Sequence, residues 1–283
     1  MENYSSAKRT DPLDIRAIFK GKNPKIARMI PGFIYNYLKR IVHQEDLNIF
    51  LAAQGEKLNT EFIKAVVKDF DIKIETEGLE KIAKEGRYIF ASNHPLGGFD
   101  GILLMHVVGQ NFPEFRFLVN DLLMNLSNIR DLFVPINKHG SLGIQSVALI
   151  NESLKSDAQI LTFPAGLVSR RVKGQIVDLR WKKSLIIQSL KYHRDIIPVH
   201  FDGRNSDFFY NLSNFRKMFG IKANIEMFYL VNETYKHCHK QFKVKFGIPI
   251  PWQTFDNTRT PLQWAKWVKE KAYALDGVYK IPL

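Results

Sequence analysis

A strand, a polar turn and a helix follow one another between residues 88 and 105. The apolar run at 88–91 predicts a short buried strand, and the apolar run at 102–105 predicts a helix. Between them, Gly97 and Gly98 free the backbone to turn sharply. A strand that passes into a helix in this way is typical of α/β folds, in which ligands bind at the carboxyl ends of the strands.

Two side chains of this turn form a candidate catalytic pair. His94 lies where the strand ends and Asp100 near where the helix begins, so the turn can fold the carboxylate onto the imidazole. A His held by an Asp is a positioned general base, because the carboxylate fixes its tautomer and stabilises the imidazolium. The spacing alone is weak evidence, since eight His and fifteen Asp give about 0.4 such pairs by chance. The alternative is an Asp that caps the helix beside an unrelated His at the strand end.

Strands and helices alternate along the chain after residue 70. Strands are predicted at 71–77, 87–92, 115–119, 132–136, 159–163, 196–201 and 242–248. Helices are predicted at 79–84, 99–109, 142–155, 182–192, 208–219 and 260–275. This alternation predicts an α/β domain over residues 76–283, with a mostly parallel central sheet flanked by helices. A small N-terminal helical segment, residues 1–75, precedes that domain.

The N-terminal segment contains an amphipathic stretch, residues 24–43. Its apolar side chains recur at helical spacing on one face: Ile26, Ile30, Phe33, Ile34, Tyr37, Leu38 and Ile41. Pro31 kinks this helix or starts a second one. The stretch is either an interfacial helix that lies among lipid headgroups or an ordinary amphipathic helix packed on the core.

The chain is strongly basic, because 41 Lys and Arg residues outnumber 28 Asp and Glu residues and give a net charge of +13. That charge indicates an acidic partner: nucleic acid, an anionic membrane surface or an acidic carrier protein. A nucleic-acid partner is disfavoured, because the sequence has no zinc-finger spacing, RNA-recognition motif or dense basic helix. Cys238 is the single cysteine, which excludes an internal disulfide. No metal is expected, since its two His neighbours lack a second ligand pair at a suitable spacing.

Three later stretches place polar or cationic side chains after predicted strands. They cover residues 133–140, 163–174 and 196–205, and the middle one carries three cations suited to an anionic headgroup. The alternative for that stretch is a solvated basic loop. His200 in the last stretch alternates with apolar neighbours, as a hydrogen-bonded core histidine does. The three cations of the middle stretch are Arg170, Arg171 and Lys173.

Taken in order, these four stretches resemble the conserved blocks of the lysophospholipid acyltransferase superfamily, which includes the 1-acylglycerol-3-phosphate acyltransferases. The resemblance covers about residues 76–205. His94 and Asp100 match the catalytic His-x4-Asp pair of that family, with one extra residue that the diglycine absorbs. Asn137 and Lys138 fall where the second block carries Asp-Arg or a similar pair.

The third and fourth blocks match at 163–166, Phe-Pro-Ala-Gly, and at 197–199, Ile-Pro-Val. Asn-His-Pro-Leu-Gly-Gly-Phe-Asp-Gly at 93–101 resembles the branch labelled hemolysins, and it is similar to the O-acyltransferases that complete bacterial ornithine and glycine lipids. Ala165 replaces the Glu of the family's third block, and Arg170 is displaced from the usual Arg position. An acceptor with a carboxylate fits these cations as well as a glycerol phosphate does.

The resemblance implies acyl transfer without a covalent enzyme intermediate. His94 would remove the proton from an acceptor hydroxyl as it attacks an acyl thioester, and Asp100 would orient His94. Backbone N–H groups near Gly97, Gly98 or the third block would hold the developing oxyanion. Arg170, Arg171 and Lys173 would grip the acceptor headgroup, and the other substrate-binding residues that the resemblance implies are Asn137, Lys138, Phe163, Pro164 and Gly166. No cofactor is implied. The expected donor is acyl carrier protein, whose acidity suits a basic enzyme, with acyl-CoA as the alternative.

Three further expectations complete the interpretation. The lyso-lipid acceptor places the protein at the cytoplasmic side of the inner membrane as a peripheral protein. No transmembrane helix and no secretory signal are expected, because the chain has no apolar run of about 18 residues and its first 24 residues are polar. The alternative activities are a 1-acylglycerol-3-phosphate acyltransferase that makes phosphatidate and an acyl thioesterase that uses His94 on water.

Overall fold

The structure is a computed structural model that describes residues 12–22, 24–120, 123–124, 126–136, 141–222 and 224–277. Strands in the described residues are β1 (Lys73–Glu77), β2 (Tyr88–Ser92), β3 (Phe115–Val119), β4 (Phe133–Pro135), β5 (Gln159–Thr162), β6 (Arg170–Val172), β7 (Gln175–Val177), β8 (Asp195–Asp202) and β9 (Gln241–Phe246). Helices in the described residues are α1 (Ile15–Lys22), α2 (Pro24–Met29), α3 (Gly32–Ile41), α4 (Gln44–Gln54), α5 (Asn59–Asp69), α6 (Gly98–Asn111), α7 (Ser141–Lys155), α8 (Ser184–Tyr192), α9 (Asp207–Met218), α10 (Leu230–Tyr235) and α11 (Pro261–Ala274). The predicted binding residues Asn137 and Lys138 lie outside the described residues.

In the part of the chain that the structure describes, seven strands form one central sheet in the order β1-β9-β8-β2-β5-β3-β4. Neighbouring strands are parallel except β8 and β9, which are antiparallel. Every residue of β2, at the centre, is buried. A strand covered on both faces needs a near-continuous apolar run, which is the pattern at 88–91. The predicted α/β fold with a mostly parallel central sheet is confirmed.

Helices cover both faces of the sheet, and alternate side chains of β2 reach the two cores. Phe90 packs in a core that also contains side chains of α5 and α6. Ile89 packs in a second core, with side chains of α8 and α11. Successive side chains of a strand point to opposite faces, so a continuous apolar strand can feed both cores. Because α6 begins soon after β2 ends, the start of this helix lies at the carboxyl edge of the sheet.

Pro31 divides the predicted helix of residues 24–43 into α2 and α3. Proline has no N–H to continue a helix but suits the start of the next one. Apolar side chains of α3 do not share one environment, because Ile41 is buried whereas Phe33 is 73% exposed. The buried Tyr35, which lies outside the predicted stripe, donates its hydroxyl to the carbonyl of Ala27 at 2.9 Å. α3 is therefore partly packed on the core and partly exposed, and its role as an interfacial helix stays a prediction.

The helices that precede β1 pack against the main domain. Phe50 of α4 and Ile63 of α5 belong to the same core as α6, and β1 pairs with β9. The division of the chain into residues 1–75 and 76–283 remains a prediction. Among the described helices, none has both the length and the apolar character that crossing a bilayer requires.

The sequence does not predict two elements near the carboxyl edge of the sheet. β6 lies inside the predicted loop of residues 163–174 and forms an antiparallel hairpin with β7, which directly follows that loop. Lys173 and Gly174 at the turn of the hairpin have positive φ. A 3₁₀ turn, Ile225–Tyr229, continues into α10. Both elements are short, and they are stabilised by contacts with distant parts of the chain that no local pattern reveals.

Candidate active site

The turn between β2 and α6 brings His94 and Asp100 into contact. Asp100 is the third residue of α6, and both of its carboxylate oxygens lie 3.0 Å from Nδ1 of His94. Asp100 is fully buried, whereas 15% of the His94 side chain is exposed. When Nδ1 donates its proton to the carboxylate, Nε2 carries the lone pair and can accept a proton from a substrate.

Two backbone N–H groups hold the Asp100 carboxylate in place. The N–H of Leu96 donates to Oδ2 at 2.8 Å, and that of Gly101 donates to Oδ1 at 2.9 Å. Burial raises the pKa of Asp100, and the His94 imidazole and these two N–H groups oppose the rise. Every contact donates to the carboxylate, so each one favours its charged form.

An aromatic ring fixes the face of the imidazole. Phe163 stacks on His94 with ring centroids 3.9 Å apart and planes 17° from parallel. Phe117 supports Phe163 from its side at 5.2 Å. Gly101 makes this approach possible, because a Cβ there would lie 2.9 Å from the Phe117 ring. The predicted binding residue Phe163 therefore lies on the catalytic candidate itself, and it holds the ring by its face while Asp100 holds it by its edge.

Of the two glycines in the turn, the backbone requires only Gly97. This residue has φ 84° and ψ −136°, and a Cβ there would lie 2.9 Å from two carbons of the Leu230 side chain. At Gly98, by contrast, an added Cβ would meet no atom within 4 Å. The prediction that both glycines shape the turn is corrected to Gly97. The first N–H groups of a helix have no intrahelical acceptor, so both residues remain candidates for holding an oxyanion.

The third block of the sequence is tied directly to the catalytic turn. Pro164 is buried, and Gly166 takes a left-handed φ of 69° as its N–H donates to the carbonyl of Phe163 at 2.9 Å. The N–H of Ser169 donates to the carbonyl of His94 at 2.7 Å. This part of the chain therefore contacts His94 at two points: Phe163 stacks on its ring, and Ser169 binds its backbone carbonyl.

The fourth block supports the turn from the neighbouring strand. Asn93 exchanges two hydrogen bonds with the backbone of Phe201 in β8, accepting at 2.6 Å and donating at 3.0 Å. His200 is buried with its ring 5.6 Å from that of Tyr273, and burial lowers its pKa. His200 is thus a core residue, as the sequence indicates, but its buried Nδ1 has no hydrogen-bond partner among the described residues, so the predicted hydrogen-bonded histidine is not found.

Comparison with protein-family models matches residues 17–280 to a family described as acyltransferase. The chain belongs to this acyltransferase family. It is 50% identical over 264 residues to the lyso-glycine lipid O-acyltransferase of Bacteroides thetaiotaomicron, and the match covers 93% of this chain and 97% of that protein. A protein of the same description from Phocaeicola vulgatus is 48% identical over 264 residues, covering 93% of this chain and 95% of its own length.

Among solved structures, the 1-acyl-sn-glycerophosphate acyltransferase PlsC of Thermotoga maritima is similar to this chain with a TM-score of 0.47. Its sequence identity is 18%, and the match covers 88% of this chain and 95% of that one. The family match confirms the resemblance carried by the four sequence blocks. The chain is an acyltransferase enzyme.

In this acyltransferase, Arg170 is not available to a ligand. Its side chain is 2% exposed, and its guanidinium lies 3.0 Å from Oε1 of Glu226, which is fully buried. Oε2 of Glu226 also pairs with Nε of Arg216 at 2.8 Å. Burial lowers the pKa of Arg170, and the Glu226 carboxylate opposes this. The prediction that Arg170 grips the acceptor headgroup is therefore corrected: it joins the third block to α9 and to the 3₁₀ turn that follows.

The other two predicted cations lie nearer the surface. Arg171 pairs with Asp207 and donates to Oδ1 of Asn211 at 3.0 Å, so it links the hairpin to α9. Its guanidinium also lies 5.4 Å from the centre of the Tyr210 ring. Lys173 is exposed at the turn of the hairpin. Substrate binding by these two residues stays a prediction.

Asp178, which the sequence motifs do not single out, holds the backbone of His94. This buried carboxylate accepts the His94 N–H at 3.1 Å and the Ser169 hydroxyl at 2.5 Å on Oδ1. On Oδ2 it accepts Nε1 of Trp181 at 2.9 Å. The sequence feature that could have identified Asp178 is its position as an acid inside the apolar run 176–179. A charged side chain in such a run must find partners when it is buried.

Proposed function

We propose that this acyltransferase transfers a fatty acyl group from an acyl thioester to the free hydroxyl of a monoacylated glycine lipid. The observation that carries the proposal is the 50% identity to a lyso-glycine lipid O-acyltransferase over 97% of that protein's length. The contact of His94 with Asp100 supports the same chemistry, because O-acylation needs a base that removes a hydroxyl proton.

The reaction follows from the geometry of the pair. Nε2 of His94 takes the proton of the acceptor hydroxyl as the oxygen attacks the thioester carbonyl carbon. The imidazolium forms beside the Asp100 carboxylate, which stabilises its charge. The tetrahedral intermediate then expels the thiolate, and the imidazolium returns the proton to the sulfur. The products are an ester and a free thiol, and the enzyme ends in its starting protonation state.

The developing oxyanion needs donors that are already in place. Gly97 is the N-cap of α6 and Gly98 its first residue, so their N–H groups belong to the end of the helix that carries partial positive charge. Neither residue has a side chain to cover its N–H. We assign the oxyanion site to this turn, where donors of this kind contribute several kcal/mol, or about 10²–10³ in rate each.

The glycine headgroup carries a carboxylate, which needs cations at the mouth of the site. Arg170 is excluded by its burial, so we assign this role to Lys138 and Lys173, with Asn137 as a neutral donor. Arg171 orients the hairpin through Asp207 and is a positioning residue in this scheme. Cations suit a carboxylate because charge-assisted hydrogen bonds are about twice as strong as neutral ones.

The donor we assign is acyl carrier protein. Three exposed cations, Arg180, Lys182 and Lys183, lie next to the buried Trp181 that holds Asp178. The N–H of Lys182 donates to the carbonyl of Pro164 at 3.1 Å, so these cations lie beside the third block. An acidic carrier protein would be attracted to such a surface, and its association would weaken with salt.

The enzyme meets its acceptor as a peripheral protein at the cytoplasmic face of the inner membrane. The side chains that support this location are exposed apolar residues of α3, above all Phe33. Arg40 of the same helix is exposed, and its guanidinium lies 5.6 Å from the centre of the Tyr37 ring. Cations beside exposed aromatic rings suit the headgroup region of an anionic leaflet.

Reconstitution with purified protein tests the function. A monoacylated glycine lipid is supplied in detergent micelles with labelled acyl carrier protein thioester, and the diacylated product is followed by mass spectrometry. We expect product formation that depends on both substrates and is abolished in His94→Ala. Parallel reactions use acyl-CoA as the donor and 1-acylglycerol-3-phosphate as the acceptor.

The same reactions contain the outcomes that contradict the proposal. Release of free fatty acid at one rate with and without acceptor would make the protein a thioesterase. Preferred formation of phosphatidate would replace the glycine lipid as the acceptor. An active His94→Ala variant would remove the proposed base.

A further inference from the structure

Helix α9 carries a stripe of apolar side chains that is exposed to solvent. Phe208, Phe215 and Phe219 are 48%, 52% and 61% exposed, at spacings of seven and eleven residues that place them on one side of the helix. The opposite side is buried and includes Phe209 and the charged Arg216. A surface helix normally directs its apolar stripe to the core, so this stripe marks a surface that another body covers.

The exposed surface continues from α9 to α3. The Phe208 ring lies 4.9 Å from that of Tyr229, and the Tyr229 and Tyr37 hydroxyls are hydrogen-bonded at 2.6 Å. We call the combined surface the apolar patch, and its members are Phe33, Ile34, Tyr37, Phe208, Phe215, Met218, Phe219 and Phe228. Two elements that are distant in sequence thus contribute to one apolar surface.

Positive charge borders the apolar patch. Residues 208–225 contain no Asp or Glu, whereas Lys217 and Lys222 are exposed between and beside its apolar members. Asp207, just before this stretch, is paired with Arg171 and Arg204. Glu226, just after it, is buried and paired with two arginines. Exposed aromatic rings with cations beside them suit a lipid leaflet better than a protein surface. The rings can contact the acyl chains, and the cations can contact anionic headgroups.

The apolar patch is rigidly joined to the catalytic turn. Glu226, in the 3₁₀ turn, binds Arg170 of the hairpin and Arg216 of α9, and all three side chains are buried. Leu230, the first residue of α10, lies so close to Gly97 that a Cβ on the glycine would reach it. Arg170, which is too buried to bind a ligand, therefore helps to hold α9 against the active site.

We propose that the apolar patch docks this enzyme on an anionic leaflet, with the Phe rings of α9 among the headgroups and Lys217 and Lys222 on lipid anions. The proposal rests on the proposed function, since the leaflet is where a lyso-lipid acceptor resides. α9 and α3 both insert, and the link through Glu226 holds His94 at a fixed height above the membrane.

Vesicle binding tests the proposal without acyl transfer. Sedimentation compares vesicles of phosphatidylcholine alone with vesicles that contain 30% phosphatidylglycerol, for the full-length protein and for Phe215→Ser/Phe219→Ser. The matched control is Ile187→Ser/Ile248→Ser, which removes two exposed apolar side chains of α8 and of the segment after β9. Circular dichroism and thermal melting verify that each variant is folded.

We expect the wild-type protein to prefer the anionic vesicles and the α9 variant to lose at least tenfold in partitioning, because each ring buries most of its exposed area in the headgroup layer. The control variant is expected to bind like the wild type. Equal losses in both variants, undiminished binding of the α9 variant, or equal binding to both kinds of vesicle would overturn the proposal. So would a wild-type protein that ignores vesicles and sediments as a dimer, since a second copy would then cover the patch.

The test separates this inference from the proposed function. Acyl transfer by the wild-type protein is measured in detergent micelles, where no leaflet is present. A protein that binds anionic vesicles through α9 but transfers no acyl group would retain the surface and lose the proposed function. A protein that transfers in micelles while the α9 variant binds vesicles fully would retain the function and lose the surface.

Discussion

Replacement of Asp100 with Asn is a sharp test of the catalytic pair, because the structure offers an amide no suitable orientation. Oδ1 of Asp100 accepts the Gly101 N–H and Oδ2 accepts the Leu96 N–H. In Asp100→Asn, the amide nitrogen must occupy one of these two positions, and an N–H donor then faces another donor. The variant keeps the size of the side chain and changes only its hydrogen-bonding capacity.

Both stability and turnover should fall. A buried donor left without an acceptor costs about 1–3 kcal/mol. At about 2–4 °C per kcal/mol for a chain of this size, Tm should drop by about 2–12 °C. The imidazole also loses the acceptor that keeps its proton on Nδ1 and the charge that stabilises its imidazolium. We expect kcat to fall by about 10²–10⁴, the usual contribution of general base catalysis.

The assay measures kcat for acyl transfer in micelles, with Tm from thermal melting of the same preparations. His94→Gln is the partner variant, because it removes the base. The double variant should be no slower than the slower single variant, since each change disables the same unit. The reasoning is refuted if Asp100→Asn keeps more than about a tenth of kcat, or if the two losses multiply in the double variant.

Four other substitutions test residues around the pair and in the core behind it. Gly97→Ala should destabilise the fold by about 1–3 kcal/mol through its positive φ and the Leu230 contact, whereas Gly98→Ala should leave Tm within about 2 °C. Glu226→Gln should lower the free energy of unfolding in urea by about 3–5 kcal/mol, because two buried guanidinium groups lose their counter-charge. A decrease below about 1 kcal/mol would contradict this expectation. Burial lowers the pKa of His237 to about 4. Below about pH 6.5 the unfolded chain takes up a proton that the folded chain refuses, so stability should fall by up to about 3 kcal/mol on acidification to about pH 4. His237→Phe should remove that share of the pH dependence, and an unchanged pH dependence would contradict it.

The fold could be predicted where a local pattern decides the structure. The predicted strand 87–92 and helix 99–109 correspond to β2 and α6, because a buried strand and an apolar helix carry their periodicity in consecutive residues. The antiparallel pairing of β8 with β9 could not be predicted, since an alternating strand looks the same in either direction. Sheet direction depends on the connection between strands, and here that connection includes α9, the 3₁₀ turn and α10.

The same difference between local patterns and distant contacts decides which residues of the active site could be predicted. The contact of His94 with Asp100 spans six residues and one turn, so the local sequence together with the family resemblance predicts it. Arg170 looks like a solvated cation among Arg171 and Lys173, yet its partner Glu226 is 56 residues away. Burial of a charge is decided by such distant partners, and a run of basic residues carries no information about them. The same limit hid Asp178, whose partners lie in two other segments of the chain.

The two interpretations of Asp100 that the sequence left open do not exclude each other. The Asp100 carboxylate accepts the N–H of Leu96, which precedes the helix, as a capping residue does. Both of its oxygens also lie 3.0 Å from Nδ1 of His94. Its place in the first turn of α6 favours negative charge, which offsets part of the cost of burying it. The N–H contacts thus favour the charged form of the carboxylate against the effect of burial and hold it in place beside the His94 ring. The extra residue relative to the family motif is compatible with this double role because Gly97 closes the loop in a conformation that other residues rarely adopt.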